Sequence, residues 1–358
     1  MRPVLLCSAL AFIAATLVPS QAQVLRRGDD MAPIATPQKQ EPAKRTQRRI
    51  APKAANSTPA ATSTHATLRD VAACAQVKQP DAAIAGCTRI IEDSRQKAKG
   101  RAHAFYNRGN AHSAKGDHAA AIADYDEASK LAPKNARIYN NRGTSRSDAG
   151  ELDLAVADFS EAIKHDKRFA SAYFNRANAY AAKGETKAAL ANYTDAIKFN
   201  RRNVNAYIAR GALLLAAGET ANARVDMKLA LALDRRNAYA VLWSEIAERR
   251  GKQRGALAAG KGRGLDKKAW PAPVLQLFAG ELKADAVLAA ADSPDPTAKA
   301  AHTCEANFYS GEHALIAGNR EEAVKLFSVA AKECPRGFLE GIAAAAELKG
   351  LGEKTAAN

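Results

Sequence analysis

Four side chains near the C-terminus, His302, Cys304, His313 and Cys334, are of the types that hold zinc, and they raise the first chemical question. No short metal-type spacing such as C-x-x-C joins them, and Cys304 and Cys334 can satisfy each other, so no metal site is expected. Upstream, Gly255-Ala-Leu-Ala-Ala-Gly260-Lys261 spells most of a phosphate-cradling loop, which next needs Ser or Thr to hold magnesium. Gly262 stands there instead, and no strand precedes it, so the match is read as coincidence. His103 and His112 share a helix but lie nine residues apart, about half a turn out of phase, and point oppositely. Glu321 and Glu322 fall in the first turn of a helix, where the dipole accounts for them without acid–base work. No Ser/His/Asp order, nucleophile elbow or dinucleotide glycine motif is present. Catalytic residues, metal and cofactor are therefore all read as none, and the chemistry to look for is binding.

The elements that would position a binding surface are written four times. A 34-residue unit repeats without a gap over 102–135, 136–169, 170–203 and 204–237. Gly109, Gly143, Ala177 and Gly211 share one column, and Gly116, Gly150, Gly184 and Gly218 a second. Ala121, Ala155, Ala189 and Ala223 form a third, Tyr125, Phe159, Tyr193 and Met227 a fourth, and Ala128, Ala162, Ala196 and Ala230 a fifth. A period of this length predicts stacked helical hairpins. Small residues let helices A and B of each hairpin approach closely, and the large residue fills the space left between them. An acid follows each turn glycine (Asp117, Glu151, Glu185, Glu219) and is expected to cap helix B. Arg108, Arg142, Arg176 and Arg210 recur in helix A, with Asp124, Asp158, Asn192 and Asp226 in helix B. These are expected to be surface or edge ion pairs holding the hairpin in register, each worth little alone; a ligand-binding arginine ladder is the sharper alternative.

The 358 residues are 47% hydrophobic, much of it alanine, and only 6% aromatic, which suits closely packed helices and not sheets. A net charge of +16 predicts attraction to anionic partners, without by itself implying nucleic acid, and none is expected. Arg2, an apolar run from Val4 to Val18 and Ser20-Gln21-Ala22 read as a secretory signal peptide over 1–22, the alternative being an uncleaved anchor. Cys7 lies inside the apolar run, so no lipidation is expected, and the protein is placed in the periplasm. Residues 23–66 are rich in Pro, Ala, Gln and basic residues without apolar periodicity, and read as a disordered tether. Its basic pairs (Arg26-Arg27, Lys44-Arg45, Arg48-Arg49) could cling to anionic cell wall or lipid, or could merely solubilise.

Both ends of the array look degenerate. Residues 67–101 read as a hairpin whose first helix begins at Leu68 and is broken at Gln79-Pro80-Asp81. Antiparallel helices would bring Cys74 and Cys87 to similar heights; either they are bonded or they are two buried thiols. Residues 238–296 hold one more helix A, a basic Gly-rich stretch and two short helices, Val274 to Leu282 and Ala284 to Ala291. Over 297–351, Thr303 to Ala317 and Arg320 to Glu333 form a last hairpin, and Phe338 to Leu348 a terminal capping helix. Cys304 would begin that hairpin and Cys334 end it, where antiparallel helices put them side by side.

The five columns and Pro133 closing the first unit resemble the tetratricopeptide repeat (TPR). The resemblance implies an all-α fold, a helical-hairpin solenoid coiled as a right-handed superhelix, with degenerate N- and C-terminal hairpins. In that family particular places of helix A face a concave groove. Carried over, they name Tyr106, Asn107 and Asn110 in the first unit and Asn140 and Asn141 in the second. Phe174, Asn175 and Asn178 follow in the third and Ile208 in the fourth. Asparagines along such a wall can pair with the backbone of an extended peptide. A carboxylate clamp is not expected, since Tyr106, Ser171 and Asn175 stand where cations would be wanted. With a signal peptide and Cys304-Glu-Ala-Asn-Phe-Tyr-Ser-Gly311 in the last hairpin, the whole is similar to NlpI-type adaptors of the bacterial envelope. That likeness implies a non-catalytic scaffold for other envelope proteins, among them cell-wall hydrolases or a protease, and a capacity to form homodimers.

Overall fold

The computed structural model describes residues 65–76 and 78–353, and among these every regular element is a helix. The signal peptide and all but the end of the tether lie outside the described residues. The N-terminal hairpin is α1 (Leu68–Cys74) and α2 (Pro80–Glu92). Four hairpins follow: α3 (Ala98–Ala114) with α4 (His118–Leu131), and α5 (Ala136–Ala149) with α6 (Leu152–His165). Next come α7 (Ala170–Ala182) with α8 (Thr186–Phe199), and α9 (Val204–Ala216) with α10 (Thr220–Leu233). Helix α11 (Ala238–Arg250) leads to short α12 (Ala272–Ala279) and α13 (Ala284–Ala290), then α14 (Pro296–Ile316), α15 (Arg320–Glu333) and α16 (Leu339–Gly350). Each helix packs on its neighbours in sequence, as a solenoid requires.

The columns do the packing assigned to them. A Cβ added at Gly109 would meet the Tyr125 ring at 2.8 Å, and at Gly143 the Phe159 ring at 2.8 Å. The small residue of helix A is thus the seat for the large residue of helix B, and a larger side chain there would force the hairpin apart. The turn glycines take positive φ (Gly150 at 90°), the left-handed conformation that ends helix A and reverses the chain.

Two expectations about polar groups need correction. Only Asp117 caps helix B through its side chain, to Ala120 N at 3.2 Å. Glu151, Glu185 and Glu219 make no cap bond, because the extra methylene of Glu carries the carboxylate past the helix end. Nor are the Arg/Asp columns surface pairs. Asp226 is 2% exposed and receives both arms of the Arg210 fork at 2.8 and 2.7 Å. Arg108–Asp124 and Arg142–Asp158 repeat that geometry, with Asn192 substituting for the acid under Arg176. The remaining Nη1 reaches back to the previous helix B: to Asp126 from Arg142, Ser160 from Arg176 and Thr194 from Arg210. Arg142, Arg176 and Arg210 therefore bond sixteen residues forward and sixteen back, and Arg108 reaches back to Thr88, so each joins its own hairpin to the one before. The ladder is consumed by the fold, with Arg176 Nη2, opposite the one asparagine of the column, the single arm without a bond among the described residues.

At the ends the hairpins are stapled as expected: Cys74–Cys87 and Cys304–Cys334 are disulfides with Cα atoms 4.7 Å apart in each. Helix boundaries differ from the expectation. Helix α1 already stops at Cys74, and Pro80 begins α2 instead of merely breaking the chain. Helix α14 starts at Pro296, seven residues before Thr303, because Asp295 caps it and Pro is favourable at its first position. Cys304 consequently lies within that helix and not at its start.

Helix α11 is a helix A without a helix B. Every residue from Tyr239 to Glu248 is buried, and Trp243 packs on Phe308 and Tyr309 of α14 at 5.2 and 6.0 Å between rings. The P-loop-like stretch is filled by its own protein. Glu245 accepts from Leu257 N at 2.7 Å and lies directly against Gly255, where a phosphate would have to sit.

The largest departure concerns the terminal helix. Helix α16 packs on α15 as expected of a cap, but it also folds back over the solenoid onto α9, the helix A of the fourth repeat, and onto α14. Arg336, just before it, donates to Ala149 O at the end of α5 at 2.9 Å and lies against Gly150. At its other end Gly350 lies against Ala216 O at the end of α9. Twelve residues of helix span about 18 Å, so α16 runs over α9 and α14 while Arg336 in front of it reaches the end of α5 in the second repeat.

Candidate peptide-binding wall

The A helices α3, α5, α7 and α9 form one layer, and their inward faces carry the nine residues named from the sequence. The structure separates these residues into two groups. In the first three repeats they form a connected polar network. Asn141 donates to Tyr106 Oη at 3.0 Å and to Asn110 Oδ1 at 2.9 Å, both on the preceding helix A. One repeat on, Asn175 does the same, to Asn140 Oδ1 at 3.0 Å and Thr144 Oγ1 at 3.5 Å. Asn140 in turn donates to Asn141 Oδ1 at 3.1 Å, linking the two steps. Helix B supplies the backing: Tyr125 donates to Asn110 Oδ1 at 2.7 Å and Tyr193 to Asn178 Oδ1 at 2.6 Å. Burial holds the Tyr106, Tyr125 and Tyr193 hydroxyls above the usual phenol range, so they remain donors.

This network spends part of the wall on itself. Asn140 and Asn175 are buried and serve cohesion between helices, not a ligand. Tyr106, Asn107, Asn110, Asn141 and Asn178 are half-buried, with one edge toward the concave side. The amide nitrogens of Asn110 and Asn178 have no partner among the described residues, which leaves two donors, one on α3 and one on α7. Asn107 makes only a long contact with Cys74 Sγ at 3.9 Å. The wall therefore keeps polar valence for a guest, but less than an unbonded row of asparagines would offer.

Phe174 and Ile208 correct the expectation. They are 1% and 2% exposed and do not line an open groove. Phe174 packs on Tyr193 with ring centroids 5.7 Å apart. In the fourth repeat the asparagine column gives way to Ala209 and Ala212, the polar network ends, and Ile208, Leu213 and Leu215 are buried with Leu339, Ala343, Ala344 and Leu348 of α16 in one core. The apolar half of the wall is thus occupied by the chain's own last helix. The missed signal was legible: apart from Asn205 and Arg210, Val204 to Ala216 is apolar round the helix, as one with two packed faces must be.

A second polar group lies where α16 meets α11 and α14. Glu305 accepts from Tyr239 Oη at 2.8 Å and Trp270 Nε1 at 2.7 Å, while Tyr309 donates to Glu340 at 3.1 Å. Arg250 pairs with Glu312 and Glu347. Burial, then the neighbouring Glu340 carboxyl, raises Glu305 to about 8, and burial with Glu347 raises Glu312 to about 8. Sealed from solvent, these acids act as hydrogen-bonding struts under α16. No three His, Cys, Asp or Glu side chains among the described residues gather as a metal-binding group.

Residues 109–146 and 147–184 match a family model described as TPR repeat, and 170–203 one described as tetratricopeptide repeat. The chain is similar to the solved structure of pilF from Pseudomonas aeruginosa (19% identity, TM-score 0.49, 60% of this chain and 99% of that one). It is also similar to a tetratricopeptide repeat protein from Parabacteroides merdae (18%, 0.45, 68% and 98%). YrrB, described as a TPR protein with an unusual peptide-binding site, is similar over 50% of this chain and 91% of its own (17%, 0.41).

Proposed function

We propose that this chain, whose residues 109–203 are tetratricopeptide repeats, is a non-catalytic scaffold that holds peptide segments of other proteins against the A helices of its first three repeats. The observation that carries the reading is the asymmetry of the wall. Its fourth repeat is filled by α16, whereas Tyr106, Asn107, Asn110, Asn141 and Asn178 keep an edge, and two amide donors, toward the concave side. An extended peptide brings a backbone whose carbonyls such donors can pair with. The partners are segments of envelope proteins, cell-wall hydrolases or a protease among them, met in the periplasm to which the N-terminal segment addresses the chain. Homodimers of the scaffold and contact of its basic tether with anionic wall or lipid belong to the same proposal.

A photo-cross-linking amino acid placed singly at Asn107, Asn110 or Asn178 tests it, with Leu154 and Val225 on exposed helix B faces as controls. Peptides cross-linked from the first set and not from the second are expected. Capture that is equal from both sets, or stronger from the helix B face, would overturn the wall as the binding surface.

A further inference from the structure

The turns from each helix B to the next helix A lie together on one edge of the stack, and they carry Lys134, Lys167-Arg168, Arg201-Arg202 and Arg235-Arg236. All seven are exposed, and none is engaged in an ion pair among the described residues. Only Asp166 and Asp234 bring negative charge to the same turns, and both accept a backbone N–H, from Arg168 at 2.9 Å and Arg236 at 3.0 Å. Asn200 does likewise for Arg202 at 3.1 Å. Three turns are pinned a second time by the following helix: the hydroxyls of Tyr139, Tyr173 and Tyr207 donate to the carbonyls of Pro133, Lys167 and Arg201. The backbone is therefore fixed, and the cations project from it at a regular step.

Nothing in the fold requires these charges. Each turn joins a helix C-terminus to a helix N-terminus, so the two dipole ends offset and favour neither sign. The opposite edge shows the alternative: there the exposed acids Glu185 and Asp153 pair with Lys183, and Asp81 with Lys115. Like-charged neighbours repel, and seven fixed cations in a row cost stability unless an anion spans them.

We propose that this edge binds a linear acidic polysaccharide, its carboxylates seated on successive turns. The turns stand on the order of 10 Å apart, one helix diameter, a step that a glycan acidic at every second sugar repeats. Arginine, five of the seven cations, presents a planar fork that fits a carboxylate bidentately. The tyrosines turn their hydroxyls into the turns and offer no stacking platform for bases, which disfavours single-stranded nucleic acid. Exposed apolar side chains flank only the last turn (Val225, Leu229, Leu233), so a bilayer gains no insertion along the row.

Hyaluronate, with one carboxylate per disaccharide, is the probe, as end-labelled long chains and as a tetrasaccharide followed by fluorescence anisotropy. The edge variant is Arg201→Gln/Arg202→Gln/Arg235→Gln/Arg236→Gln in the full chain. The control, Lys252→Gln/Lys261→Gln/Lys267→Gln/Lys268→Gln, removes equal charge from another exposed stretch. Long chains should bind the parent at least tenfold tighter than the tetrasaccharide. The edge variant should lose at least tenfold in affinity, and its log–log salt slope should fall by about 3. The control should stay within threefold, and helicity should be unchanged in both. Equal losses in the two variants would reduce the effect to net charge and overturn the site. Stronger binding of long-chain polyphosphate, oligo-dT or anionic-lipid vesicles, lost with the same arginines, would overturn the ligand class.

Discussion

The two halves of the helix A layer are built on the same repeat and put to opposite uses. Over α3, α5 and α7 the inward positions are asparagine, tyrosine and threonine, bonded across helices and left open on one side. On α9 the equivalent places are isoleucine and alanine, buried in one core with the apolar residues of α16. Hydrogen-bonded side chains can cohere and still offer an edge to solvent, because spare valence in water carries little cost. An apolar surface of that size has no such neutral state and must be covered. Groove position alone therefore does not define a binding surface, and side-chain chemistry decides which stretch can stand open.

The contrast can be broken most forcefully at Ile208. Ile208→Asp would bury an unpaired charge beneath α16 at a cost of several kcal/mol. Limited proteolysis should then cut 336–353 first while 102–203 stays protected; simultaneous loss of both would show that the halves are one cooperative unit. Arg108→Ala, in the polar half, strands Asp124 and should cost about 3 kcal/mol in denaturant melts. Arg108→Lys should recover only part of it, since lysine cannot make the fork.

A third prediction uses pH to separate the halves. Glu305 and Glu312 are raised from ordinary carboxyl values to about 8, so the folded state holds protons that the unfolded state has released. Stability of the C-terminal half is then greatest below about pH 4.5 with respect to these groups, and falls as pH rises toward 8. Between pH 5 and 8 the melting temperature should drop on the order of 5 °C, and Glu305→Gln should flatten the profile. A drop of the same size in the Glu305→Gln variant would remove that acid from the account.

Smaller effects probe the polar half. Asn141→Ala removes two inter-helix bonds and should cost about 1 kcal/mol, with peptide capture weakened more than the melt alone explains. Asp117→Ala should cost about 1 kcal/mol through the lost cap, whereas Glu151→Ala should change the melt within error, since that glutamate caps nothing.

Much of this was written in the chain. The columns at Gly109, Ala121 and Tyr125 define a hairpin because each states a local steric requirement, and four copies state it four times. The disulfide pairs followed from antiparallel geometry. What did not follow was anything that depends on a residue meeting another repeat's end. Arg108 and Asp124 look like surface charges in one dimension, and only the stack shows that helix packing buries the acid. The self-occupied groove was hidden for the same reason. Periodicity describes neighbours, and α16 lies more than a hundred residues from the helix it covers. Among the nine wall residues, five kept an edge to the concave side, because the family's positions specify direction but not what else arrives there.

The bond from Arg336 to Ala149 spans 187 residues in an architecture whose other bonds mostly join adjacent hairpins. A stack held by nearest neighbours alone can nucleate anywhere and fray from either end. Tying the last helix to the second and fourth repeats raises the contact order and delays that closure until nearly the whole chain is in place. Until then Ile208 and its neighbours stand uncovered, so a chain truncated before Leu339 should fold its repeats and then aggregate through the fourth. The final helix acts as a kinetic latch: before it docks the fourth repeat frays with the rest of the array, and once docked it holds that end closed.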